Sequence, residues 1–478
     1  MTLSPLLLFV IAYMVLSIII GVYAARRVKT AADYTIAGRS LTLPVVIATT
    51  FATWFGAETV LGVSATFAKD GLKGVVEDPF GSSMCLVLVG LFFARKLYRM
   101  NLMTIGDYYR LRYGKAVEMI TSVIIVLSYM GWVAAQIKAL GLVFNLLAPD
   151  MVSVPAGMML GTAIVLAYTL YGGMFSIAIT DFVQMIVIGV GLVFIAVLAA
   201  NAAGGAGVVL QAAASKDLLS FLPKPEAKEM LVFFAAAITL MLGSIPQQDV
   251  FQRVMSSKNE TIAMRGPIIG GLLYLIFAFI PMFVVIAALK VTPDISAGLL
   301  EKDAQQILPT FIMTQMPLIA QIMFFGALLS AIMSTASATV LAPSTTIVEN
   351  VLKPLLTDIA GMDKMSDKTM LRTLRVTVLL FAVSVLLFAL NTNDSIYEMV
   401  KNAYKVTLVG AFVPLVAGLY WKRANNTGAL CSIVLGIAVW LLFEWQYAEL
   451  FPAQLAGLIA AFVGMVGASL LAHTFKKA

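Results

Sequence analysis

The sequence predicts an all-α integral membrane protein of about 13 transmembrane helices. Three observations carry that prediction. Of 478 residues, 61% are hydrophobic and only 12% charged, with a mean hydropathy of +0.96. A soluble domain is about half apolar and a quarter charged. The apolar residues gather into runs long enough to span a bilayer, roughly 3–24, 44–67, 78–98, 117–148, 152–171, 174–200, 229–252, 266–289, 317–348, 370–390, 396–420, 427–446 and 452–473. Finally, lysine and arginine fall on alternate connections. One set carries Arg26, Arg27, Lys29 and Arg39, then Arg95 to Lys115, Arg253 to Arg265, Lys353 to Arg375, and Lys422, Arg423, Lys476 and Lys477. The opposite set holds only Lys69, Lys73, Lys216, Lys224, Lys228, Lys290 and Lys302.

The runs are continuously apolar, which excludes an alternating β-barrel and leaves helices to satisfy the backbone in lipid. The first run, 3–24, reads as an extra N-terminal helix and not as a cleaved signal peptide, because its basic cluster follows it. The basic asymmetry predicts a multi-pass inner (plasma) membrane protein with its N-terminus outside and its C-terminus in the cytoplasm. It also accounts for the net charge of +7 without nucleic acid. The polar connections 201–228 and 349–369 are too short for a soluble domain, so 1–478 reads as one membrane domain. A single histidine, His473, and two cysteines in apolar runs, Cys85 and Cys431, leave no metal cluster or triad and argue against an enzyme.

Charges inside spans are costly, at about 2.5–3.5 kcal/mol each on insertion scales, and mark cavities or partners. Six stand out: Glu58, Lys138, Asp181, Asp249, Lys401 and Lys405; most other charges fit at span ends, where long side chains snorkel. The second span is interrupted at Ala52-Thr53-Trp54-Phe55-Gly56-Ala57-Glu58 and the seventh at Gly243-Ser244-Ile245-Pro246-Gln247-Gln248-Asp249. Glycine and proline there free backbone groups to bind ions or polar atoms. The interruptions lie five helices apart, the pattern of an inverted-repeat secondary transporter with a mid-membrane site. This divides the chain into repeats over 44–200 and 229–420, followed by two helices over 427–473. In the ninth span Ser330, Ser334 and Ser337 share a helical face, with Thr335 beside them. Such hydroxyls either pack helices together or, with free carbonyls, surround a hard monovalent cation. Asp181 lies too far past Gly172-Gly173 to be a simple cap.

These segments resemble the sodium/solute symporter family, through Ala37-Gly38-Arg39-Ser40, Thr180-Asp181-Phe182-Val183-Gln184 and Leu328-Leu329-Ser330-Ala331-Ile332-Met333-Ser334-Thr335. Within it the chain is most similar to the choline-transporter-like branch, through Ala52-Thr53-Trp54, Gly90-Leu91-Phe92-Phe93-Ala94, Met241-Leu242-Gly243-Ser244-Ile245-Pro246 and Phe251-Gln252-Arg253-Val254. The resemblance implies a leucine-transporter-type fold, two inverted five-helix repeats after an extra helix, working as a monomer by alternating access.

It further implies that Na+ is the coupling ion, with no organic cofactor. The sodium ligands would be the carbonyls of Ala52, Phe55 and Ala331 and the hydroxyls of Ser334 and Thr335. A second ion site in some members would use Asp181, Ser334, Ser337 and the residue after it. That residue is Ala338 and lacks a hydroxyl, which leaves Asp181 and Ser337 as a second ion site or as part of the ion's exit path.

For the solute, Trp54 and Trp132 match two positions of an aromatic cage for a quaternary ammonium, while Gln247 and Ser82 stand where that branch has tryptophan and tyrosine. Gln136, Gln247, Gln248, Glu58 and Asp249 would supply hydrogen bonds. Lys405 either faces the cavity and pairs with a substrate carboxylate, or pairs with Glu398 or Asp249, or snorkels. The expected activity is sodium-coupled import of a quaternary amine, amino acid or betaine-like solute. Proton coupling, an organic-acid symporter and a membrane solute sensor are the alternatives.

Overall fold

The computed structural model describes residues 4–360 and 366–475; Lys364, Lys476 and Lys477 of the basic pattern lie outside them. The described chain is helical throughout, its one β-bridge joining Leu41 and Ser257. Fourteen helices carry the architecture: α1 (Pro5–Ala25), α2 (Leu43–Trp54), α3 (Glu58–Asp70), α4 (Leu72–Arg99), α5 (Lys115–Leu147), α6 (Val154–Ala202), α7 (Ala227–Gly243), α8 (Gln248–Ser256), α9 (Glu260–Val291), α10 (Leu318–Leu356), α11 (Asp367–Asn391), α12 (Ile396–Tyr420), α13 (Asn426–Gln446) and α14 (Ala453–Phe475).

Among the described residues ten helices are long and apolar enough to cross a membrane. The bent pairs α2/α3 (51°) and α7/α8 (46°) raise that to twelve, and the shorter apolar helix Val154–Ala167 stands at the remaining expected position. Residues 154–202 contain two of the predicted spans, and Gly173 separates them. Its φ of +49° is left-handed, and a Cβ there would lie 2.4 Å from the Tyr34 carbonyl oxygen. Only glycine fits such a joint.

Local sequence explains the element starts. Ser4 accepts a hydrogen bond from the Leu7 amide ahead of Pro5, so α1 has a capped, proline-led first turn. Thr30 with Asp33, and Thr104 with Asp107, form capping boxes for the short helices Ala31–Ile36 and Ile105–Tyr113. The core is built by α10, which packs on α5 and α6, with α2 held between α6, α9 and α10. Along α10, residues 324–346 are buried without interruption. A helix apolar or small on every side, and buried on every side, is the axle of the bundle. By contrast α13 and α14 pack chiefly on each other and leave broad apolar faces exposed.

Four charges assigned to span ends prove to be interior: Glu77, Asp78, Glu118 and Arg253 are all buried. Each sits where a span begins or ends in sequence, but neighbouring helices overlap that level. Depth in the chain therefore did not equal exposure.

Candidate functional site

Between α2 and α3 the chain leaves the helix at Phe55 and Gly56. Gly56 has to be small, because a Cβ would come within 2.5 Å of Glu58 Oε2 and 2.7 Å of Thr335 Oγ1. The backbone freed by the break is met by side chains from other helices. Thr335 Oγ1 donates to the Ala52 carbonyl at 3.1 Å, Thr59 Oγ1 to the Trp54 carbonyl at 2.8 Å, and Gln136 Oε1 accepts the Ala57 amide at 3.0 Å.

Ala52, Phe55, Ala331, Ser334 and Thr335 are all fully buried here. The structure thus brings Ala52 and Thr335 together, and Ala331 lies one turn before Ser334 and Thr335 on the same face of α10. Two oxygens bound by one hard cation at about 2.3–2.6 Å sit at about the separation seen between Ala52 and Thr335. Ser334 Oγ donates its proton to Asp181 Oδ1 at 2.5 Å, so its lone pairs point elsewhere and remain free to bind an ion. Thr49 Oγ1 donates to the other Asp181 oxygen. A set of neutral oxygens backed by one carboxylate suits a monovalent cation such as sodium better than a divalent one. The other two serines of the stripe turn away: Ser337 donates to the Ser334 carbonyl at 2.9 Å, and Ser330 donates to the Gly326 carbonyl and meets Tyr13 of α1.

The aromatic part lies alongside. Trp54 stacks on Trp132 with ring centres 5.1 Å apart, Tyr404 of α12 tilts against Trp54 and meets Trp132 edge to face, and Tyr129 stacks on Trp132 at 5.9 Å. Glu58 is held between Trp132 Nε1 at 3.2 Å and Gln136 Nε2 at 2.5 Å. At the second break Thr407 donates to the Gly243 carbonyl, and Gln247 Nε2 donates to Ser128 Oγ at 2.9 Å. Asp249 accepts from the Tyr129 hydroxyl through Oδ1 and donates its amide to that hydroxyl at 2.9 Å. Trp54 Nε1, Tyr404 Oη, Gln247 Oε1, Ser244 Oγ and Asp249 Oδ2 are buried with no hydrogen-bond partner. Unpaired buried donors and acceptors are costly, and these five lie at or beside the two breaks.

Two expected solute ligands are placed elsewhere. Gln248 turns toward the start of helix Ile105–Tyr113, its Oε1 accepting the Ile105 amide at 2.8 Å. Lys405 reaches outward to Glu444 of α13 at 3.0 Å, pairing with neither Glu398 nor Asp249. The reason is helical geometry: Tyr404 occupies the inward position, and its neighbour projects about 100° around the axis. Lys401 pairs with Glu77 at 3.6 Å, and Lys138 Nζ donates to the Asp394 carbonyl at 2.6 Å. Lys138 and Lys401 both line a charged vestibule of about 520 Å³ with Lys69, Asp70, Asp303 and Glu398. Tyr397, whose hydroxyl is bound to the Gly74 carbonyl, also lines it.

Sequence reasoning missed Tyr129, Tyr404, Thr49, Asp78 and Arg253. Asp78 Oδ1 accepts from Ser82 Oγ and from the Tyr274 hydroxyl, which also bonds Thr59 beside the first break. A tyrosine or threonine in an apolar run carries no signal of its own. The run Glu77-Asp78-Pro79 was visible as two adjacent acids beside a span.

The family model described as the sodium:solute symporter family matches residues 34–436. The chain belongs to that family. The human high-affinity choline transporter 1 is 28% identical over 461 residues, covering 93% of this chain and 78% of the relative. A high-affinity proline transporter of Bacillus subtilis is 26% identical, covering 93% and 94%. Among solved structures, a sodium-coupled sialic acid symporter in a substrate-bound outward-open state superposes with a TM-score of 0.83 at 19% identity, covering 97% of this chain and 96% of that one. A transporter in complex with L-phenylalanine, at a TM-score of 0.55 and 15% identity, shares the fold as well. The fold is thus the leucine-transporter type with inverted five-helix repeats, and the family's activity is sodium-coupled solute symport, not enzymatic catalysis.

Proposed function

We propose that this symporter imports a small organic solute carrying a positively charged nitrogen, as a quaternary amine, amino acid or betaine, in the space between the two breaks. The observation that carries this reading is Glu58, buried and held by Trp132 and Gln136 at the edge of the Trp54–Trp132–Tyr404 cluster. Aromatic faces attract a desolvated cation by about 2 kcal/mol or more, and a buried acid adds charge complementarity. A solute that is only an acid would need a cation free to meet it; Lys405, read as a partner for a substrate carboxylate, is engaged by Glu444, and the buried Arg253 is held by the Thr49 and Asp249 carbonyls.

Sodium would be held by Ala52, Phe55, Ala331, Ser334 and Thr335, drawing α2 toward α10 and replacing the Thr335–Ala52 hydrogen bond. Asp181 orients Ser334. Ser337, tied to its own helix, supports an ion's path more than a second shell. Repeats over 44–200 and 229–420 place one break at the head of each. The connections bearing Arg39, Arg95, Arg99, Arg112 and Lys115 meet at one end of the molecule, through Arg95–Glu260, Arg39–Tyr98, Arg112–Ala424 and Lys115–Pro354 contacts. That end is read as cytoplasmic, with the vestibule opposite.

The test is uptake into proteoliposomes of choline, proline and acetate, under an inward sodium gradient and under potassium, with Ser334→Ala alongside. Sodium-driven uptake of choline or proline, lost in the variant, is the expected result. Uptake of acetate instead, or uptake driven equally well by a proton gradient without sodium, overturns the reading.

A further inference from the structure

Arg253 is absent from every role assigned so far, yet it is among the largest fully buried side chains. It lies in α8, just past the second break. Its Nε donates to the Thr49 carbonyl of α2 at 2.8 Å. Its Nη1 donates to the Asp249 carbonyl at 2.9 Å and lies 4.0 Å from Asp249 Oδ2. Its Nη2 has no partner. One guanidinium therefore ties the two broken helices together.

Both ends of this tie lead to a site. Thr49, whose carbonyl Arg253 holds, gives its hydroxyl to Asp181, and Asp181 holds the sodium ligand Ser334. Asp249, at the other end, is bonded twice to the Tyr129 hydroxyl, and Tyr129 stacks on Trp132. The sequence of contacts from Ser334 to Trp132 is continuous and polar up to the aromatic rings. It passes through two buried acids, Asp249 facing Arg253 directly and Asp181 joined to it through Thr49. A planar fork with several fixed donors can bridge two groups at once, which a lysine ammonium on a flexible stem does less well.

We propose that Arg253 is the positioning residue that couples the ion site to the solute site. Sodium beside Ser334 draws on Asp181 and shifts Thr49 with α2; Arg253 carries that shift to Asp249, and Tyr129 delivers it to the Trp132 face. The inference rests on the proposed sodium and solute sites, and it adds the residue through which one reports to the other. A coupling of this kind makes a first ligand change the affinity for a second by typically about 5–150-fold.

The test needs no solute. Purified protein is titrated with NaCl against KCl, with two readouts: thermal stabilisation, which reports ion occupancy, and tryptophan fluorescence, which reports the Trp54–Trp132 pair. A Trp132→Phe variant assigns the fluorescence change. Wild-type protein is expected to show both responses. Arg253→Gln is expected to keep sodium stabilisation, with half-saturation within about threefold of wild type, and to lose the fluorescence response; Arg253→Lys restores part of it. Asp249→Asn, which keeps a group able to bond Tyr129 but removes the negative charge that Arg253 faces, serves if the Arg253 variants do not fold, and the same loss is expected. A fluorescence response that persists in Arg253→Gln or in Asp249→Asn overturns the coupling role while leaving the sodium site standing. No sodium stabilisation in wild type overturns the sodium site, and the coupling with it.

Discussion

The two helix breaks bend by similar angles but are closed to different degrees, though each also leaves a buried side-chain atom unpaired, Trp54 Nε1 at the first. At Phe55–Gly56 other helices fill the gap: Thr335, Thr59 and Gln136 each take a backbone group of the break or its flanks. At Ser244–Gln247 the closure is partial, with Ser244 Oγ and Gln247 Oε1 left without partners. A break whose carbonyls already meet hydroxyls can exchange one of them for a small ion with little rearrangement. A break that leaves polar side-chain atoms unpaired in the core waits for a larger partner with its own donors and acceptors. On the proposed reading the first break carries the ion chemistry, and the solute lies where Trp54 and Glu58 of the first break face the second.

The sharpest way to break that assignment is at Ser334. Removing a hydroxyl that ligates a charge costs about 1.5–3 kcal/mol, so Ser334→Ala should weaken sodium-dependent stabilisation by roughly 10–150-fold in sodium concentration. Unchanged sodium titration would remove the first break from ion binding. Next in size, Gly56→Ala forces a methyl onto Glu58 and Thr335 and should cost about 1–3 kcal/mol, read as a lower melting temperature together with weaker sodium binding. Trp132→Phe keeps the ring face but deletes the donor to Glu58, so solute affinity should fall by about 1–3 kcal/mol while sodium stabilisation stays as it was. A parallel loss of both would show that the two regions are one site. The smallest effect is expected at Lys405→Gln, where an outward pair with Glu444 contributes at most about 1 kcal/mol. Transport reduced more than about tenfold there would bring the carboxylate reading back.

The breaks themselves were legible because glycine, proline and polar residues stand out against apolar runs. So was the Ser334–Thr335 segment, through helical spacing and family likeness. What could not be read was partnership across the bundle. Tyr404 and Lys405 are neighbours in sequence, and only packing against α13 decides that the tyrosine faces Trp54 and the lysine faces Glu444. Gln248 sits within the second interruption, yet an amide on another helix captures it. Arg253 read as an end-of-span cation because its two anchors, Thr49 and Asp249, come from different helices.

The capture of Gln248 has a mechanical consequence. It binds the first amide of helix Ile105–Tyr113, and that helix is pinned in turn to α12 through the hydroxyls of Tyr108, Tyr109 and Tyr113 on the carbonyls of Leu415, Ala411 and Pro414. Segments α8, 105–113 and the far half of α12 therefore form a linkage of rigid rods with hydrogen-bonded joints. Moving any one of these segments by itself would break at least one of these bonds, so the three are expected to move together. The joint at Gln248, which accepts the Ile105 amide at 2.8 Å and reaches the Met103 carbonyl at a longer 3.5 Å, is expected to part before the three tyrosine bonds do.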